Sequence, residues 1–138
     1  MATAEEFLQT WAYSTLSAAA ITCVDHSGAV PVRDWVPDAT EYPYISIGED
    51  TIAEGPSWSD DQRDCTLTFH VWSRYPGKKQ AKQIGGAIVT ALRAARTSTG
   101  EWQVQRVNLD LANYYLDPDA RTQHGVVRMR VGLGHFPE

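Results

Sequence analysis

The sequence predicts an α+β domain: two helices packed on one face of a mostly antiparallel β-sheet with a long hairpin. Three observations predict it. Two segments repeat apolar residues every three to four positions. Several others alternate apolar and polar residues or are rich in β-branched ones. The turn-forming run Asp117-Pro118-Asp119-Ala120 separates two long segments of the alternating kind. The chain has 138 residues, the length of a single domain spanning 1–138. A chain of this size buries about two thirds of its unfolded surface, enough for a real core.

Each element has its own signal. Thr3 and Glu6 have the T-x-x-E spacing of a capping box, in which each side chain satisfies a free backbone donor at a helix start. Leu8, Trp11, Thr15, Leu16 and Ala19 follow at helical spacing, with Ala12 and Ala20 beside them, so a helix is expected over Ala4–Ala20. Gly28, Pro31 and Pro37 break the next stretch into loop, with one short strand expected at Val32–Val36. Tyr44–Ile52 is β-rich, and Gly48 marks a bulge or bend in it. In Cys65–Ser73, residues Cys65, Leu67, Phe69 and Val71 point one way and Thr66, Thr68, His70 and Trp72 the other.

A second helix is expected over Gly77–Arg96. Ala81, Ile84, Gly85, Ile88, Ala91, Leu92 and Ala95 share its apolar face, while Lys79, Lys82, Gln83, Arg93 and Arg96 lie elsewhere. The small residues Ala81, Gly85 and Ala91 let it sit close to a sheet. Trp102–Leu116 and Thr122–Leu133 then form the hairpin. On its last strand Val127, Met129, Val131 and Leu133 share one face and Val126, Arg128 and Arg130 the other.

Composition excludes several classes. A net charge of −5 leaves no basic footprint for reading a nucleic-acid sequence. The start MATAEEFLQTW has acids where a signal peptide has bases, and no apolar run approaches the ~18 residues of a membrane span. Cys23 and Cys65 are too few for a disulfide framework and lack zinc spacing. The expectation is a soluble domain made in a reducing cytoplasm, with no membrane partner.

The chemistry-bearing residues also read as ordinary. Cys65 and His70 are five residues apart on one strand, an odd offset that sends them to opposite faces, so Cys65 reads as a small buried apolar residue. Cys23 lies near His26 without a placed third partner. Asp117 and Asp119 read as turn caps, not as a metal pair. His124 and His135 lack ligand spacing and count as ordinary, and no phosphate-binding or nucleophile-elbow motif is present. No catalytic residue, metal or cofactor is expected, and the chain is not expected to be an enzyme.

One segment stands apart. Glu49–Asp64 holds Glu49, Asp50, Glu54, Asp60, Asp61 and Asp64 against the single base Arg63, which is the net charge of the whole chain. It reads as a loop between two strands. Trp58 in its middle is a large aromatic in a polar setting, a common anchor for a partner.

In order along the chain stand Val36-Pro37, then Pro43-Tyr44-Ile45-Ser46-Ile47-Gly48. Next come His70-Val71-Trp72-Ser73-Arg74 ahead of Gly77 and Ala81, and last Asp117-Pro118-Asp119 with His124-Gly125-Val126. This ordered set resembles the tail-completion, or tail-terminator, family of long-tailed phages and gene transfer agents, from about Val32 to Val131. The resemblance implies a structural virion protein. Such proteins form a homo-hexameric ring on the head-proximal end of the tail tube. The ring stops tube polymerisation and joins the head-side connector, and DNA passes through its lumen without sequence-specific binding. The implied partners are further copies of the chain, the tail tube protein and the connector. The acidic segment would then face the lumen, where like charge keeps DNA from sticking, or reach a basic surface on a neighbour, for which Arg128 and Arg130 are the candidates. Two other readings remain open from the residues: another head–tail connector (stopper) component, and a small α+β enzyme or ligand-binding domain.

Overall fold

The computed structural model describes residues 3–55 and 62–137. The elements are α1 (Ala4–Ala19), β1 (Val32–Arg33), β2 (Tyr44–Glu54), β3 (Gln62–Ser73), α2 (Lys79–Arg93), β4 (Trp102–Leu116) and β5 (Gln123–His135). Among the described residues, five strands form one sheet in the order β1-β2-β3-β5-β4. β1 runs parallel to β2, and the other neighbours are antiparallel. Both helices lie on one face, as the sequence predicts, and Leu8, Leu16, Phe69, Ile84, Ile88 and Met129 are fully buried between the layers.

The helix ends follow local chemistry. Thr3 Oγ1 accepts from the Glu6 N–H at 3.2 Å and Glu6 Oε2 accepts from the Thr3 N–H at 3.1 Å, completing the capping box. α1 stops one residue early because Ala20 turns to φ 49°, and Ala19 and Ala20 are exposed instead of joining the buried face. Gly77 at φ 95° cannot be helical, so α2 begins at Lys79, and it ends at Arg93, three residues short of Arg96. The two helices are tied by the Trp11 indole N–H, which donates to the Ala95 carbonyl at 2.9 Å.

α2 approaches the sheet through Gly85. A Cβ there would collide with Tyr114 Oη, and a Cβ on Gly125 would meet the same ring at 2.9 Å. Gly125 is the cross-strand partner of Tyr114, so two glycines form the slot that holds one aromatic ring. Gln80, also on α2, is a buried polar residue that the sequence reading leaves out. It accepts from Ser73 Oγ at 2.6 Å and donates to the Val24 carbonyl at 2.8 Å, clamping the loop after α1.

The strands differ from expectation at their ends. β1 keeps two residues instead of five. Asp34 leaves the sheet to accept a hydrogen bond from Gln9 at 2.7 Å, and Trp35 is 78% exposed. β2 has its irregularity between Ile47 and Asp50, at the expected Gly48. It continues to Glu54, and β3 starts at Gln62, so Glu49, Asp50, Glu54 and Asp64 lie on strands and not in a loop. Trp58, Asp60 and Asp61 lie outside the described residues. β5 runs two residues past Leu133.

Candidate interaction surface

Among the described residues, neither helix packs on the opposite face of the sheet. At one end a single row crosses four strands: Tyr44 on β2, Trp72 on β3, His124 on β5 and Tyr115 on β4, each the register partner of the next. The Trp72 indole stacks on the His124 imidazole, and its N–H donates to Ser46 Oγ at 3.1 Å. His124 lies 2.7 Å from Tyr115 Oη through Nδ1 and 2.8 Å from His70 Nδ1 through Nε2. His70 Nε2 faces Glu49 Oε1 at 3.7 Å. A carboxylate at that end favours a proton on His70 Nε2. His70 Nδ1 then accepts from His124 Nε2–H, and His124 Nδ1 accepts from the Tyr115 hydroxyl. Burial, and then the nearby His70, hold His124 below the usual histidine range. His124 is therefore the centre of a polar row. Its histidine and tyrosine partners come from two other strands, β3 and β4, so no local spacing announces them.

The other end of this face is charged. Arg130 grips Asp64 with two hydrogen bonds, 3.1 Å to Oδ1 and 2.6 Å to Oδ2. That contact holds the Asp64 carboxyl below the usual carboxylate range. Arg128 lies 3.8 Å from Asp110. The two arginines expected to meet acids of a neighbour thus each face an acid of their own chain. Glu49, Asp50 and Glu54 are exposed along β2, with Glu49 directed toward His70. Trp35 is an exposed aromatic on the described surface that the sequence reading did not single out.

The remaining candidates fall where alternation and turn chemistry put them. Cys65 is fully buried on the helix side, and burial pushes its thiol up to about 12, while His70 sits on the opposite face. Asp119 accepts from the Arg121 and Thr122 N–H groups at 2.8 Å and from Thr122 Oγ1 at 2.7 Å, which makes it a turn cap. Those bonds lower its carboxyl to about 2. His135 stacks on Trp102 and meets Glu101 at 3.0 Å. Among the described residues, no group of three or more His, Cys, Asp or Glu is placed to hold a metal ion. The surface is built of one sheet face and the sheet edges, which suits contact with other proteins.

Comparison with known proteins agrees with the resemblance carried by the sequence motifs. The family model described as tail completion protein gp17 matches residues 13–133. The tail completion protein gp17 of Bacillus phage SPP1 is 24% identical over 133 residues, covering 91% of this chain and 98% of that protein. A chain in the solved virion of a native gene transfer agent particle shares the fold with a TM-score of 0.72. It is 16% identical and is matched over 92% of this chain and 94% of that one.

Proposed function

The chain belongs to the family of tail completion proteins gp17, and from that premise we propose that it is a structural component of a virion tail, its terminator. In this reading copies of the chain form a hexameric ring at the head-proximal end of the tail tube. The ring stops further tube growth, presents a surface to the head-side connector and leaves an axial passage for DNA. The chain acts by contact and carries out no catalysis.

The observation that carries this reading is the extent of the family match, from within α1 through nearly all of β5. The surface fits the role: a sheet face on which neither helix packs, an exposed Trp35 and a line of acids on β2 offer contacts on several sides. Glu49, Asp50, Glu54 and Asp64, with Trp58, Asp60 and Asp61 of the connecting segment, are assigned to a subunit contact or to the lumen. Arg128 and Arg130 brace the same face. The absence of a net basic charge suits a passage that DNA must slide through without sticking. The test is to locate a tagged chain in purified particles by electron microscopy. The expected result is one ring-shaped layer at the junction of head and tail. Signal along the tube or at the distal tip would overturn it.

A further inference from the structure

Resting on the ring reading, we propose that the outer edge of β4 in one copy docks antiparallel against the outer edge of β2 in the next, so that the sheet continues from subunit to subunit. β4 is fifteen residues long and stands at the edge of the sheet. It exposes Leu109 and Leu111 along its middle. A long apolar edge with unpaired backbone groups is a template for another strand, and proteins that stay monomeric blunt such edges. On the far side, β1 covers only Ile45 and Ser46 of β2. Among the described residues, Ile47–Glu54 has no strand on its outer side.

The two edges match in register. β4 is irregular between Val104 and Arg106 and between Leu109 and Leu111, which leaves Arg106–Leu109 as a regular stretch. β2 is irregular between Ile47 and Asp50, with a regular stretch after it. Followed across β3 and β5, Asp50–Ala53 and Arg106–Leu109 occupy the same four rows of the sheet. β2 and β4 run in opposite directions, so β4 of one copy beside β2 of the next extends the antiparallel pattern.

Charge is also complementary. Arg93 and Arg96 at the end of α2 line a depression with Arg106, Val107 and Asn108 at the β4 edge. The β2 edge carries Glu49, Asp50 and Glu54. A basic edge and an acidic edge on opposite sides of one subunit favour head-to-tail contact, the heterologous kind that closes into a ring, over a two-fold contact of like edges.

The experiment uses cysteines at Thr51 and Asn108, exposed positions in the same row, in a Cys23→Ser chain that keeps the buried Cys65. Within one subunit these sites are three strand spacings apart, about 14 Å, so a bis-maleimide too short to span that gap links only different copies. Assembled particles carrying Thr51→Cys and Asn108→Cys together should give a ladder of cross-linked multimers. Either substitution alone should give none. A dimer from Asn108→Cys alone would replace this contact with a two-fold one and overturn the proposal. Failure of the double variant to cross-link, in particles where counting finds several copies in a ring, would overturn the edge contact and leave the ring reading standing. One copy per particle would overturn both.

Discussion

The Trp72 indole and the His124 imidazole stack with centroids 3.8 Å apart and planes 14° apart. They are cross-strand partners on β3 and β5 and sit at the centre of the row that runs from Tyr44 to Tyr115. The stack shields His124 from water, and this has a thermodynamic consequence.

The first prediction concerns pH. His124 titrates below its ordinary 6.5 in the folded chain because of burial and His70, with Asp117 pulling the other way. Tyr115 on β4 also faces it, and Glu49 on β2 lies beyond His70. The unfolded chain therefore takes up this proton first. The stabilisation is complete above about pH 6.5 and declines as pH falls toward the folded value. Melting temperature should drop across that window, and His124→Gln should flatten the drop. An unchanged slope in the variant would contradict the assignment.

A second, separate limb lies in acid. Hydrogen bonds from Thr122 and Arg121 lower Asp119 from 3.8 to about 2. Its contribution is present above pH 3.8 and is lost as pH falls through the folded value. Asp119→Asn should weaken the acid limb of the melting curve and leave the limb near neutrality in place.

The third prediction tests the face of α2. Ile88 is fully buried and Lys82 is exposed. Ile88→Ala should cost about 2–5 kcal/mol, and Lys82→Ala should stay within about 0.5 kcal/mol, both read by denaturant unfolding. Equal losses would mean that the face is misassigned.

The fourth concerns the slot around Tyr114. Ala gains about 1 kcal/mol over Gly in a helix interior, while overpacking costs about 1–3 kcal/mol. At Gly85 the collision with Tyr114 Oη decides, so Gly85→Ala should destabilise. In a Tyr114→Phe background the hydroxyl is gone and the penalty should shrink. A penalty of the same size in both backgrounds would rule out this contact as its cause.

The elements themselves were legible because each had a local signal: a capping box at Thr3, 3.6-residue periodicity around Ile84 and Ile88, alternation through Cys65–Val71, and turn residues at Asp117–Ala120. The family was legible from the same segments in order. What depended on register was not. The row through Tyr44, Trp72, His124 and Tyr115 joins residues up to 80 positions apart, and His124 read alone had no visible partner. Glu54 and Gln62–Asp64 read as loop because their charges hide a strand pattern that the pairing of β2 with β3 reveals. β1 looked longer because Val36 is apolar, but Asp34 found Gln9 and drew the chain out of the sheet.

The most direct measurement of the central claim is the tail-length distribution of particles assembled without this chain, viewed by electron microscopy. A terminator's loss predicts tubes of uncontrolled length, unjoined to DNA-filled heads, with normal tails restored when the chain is supplied in trans. Tails of normal length joined to filled heads in its absence would contradict the account.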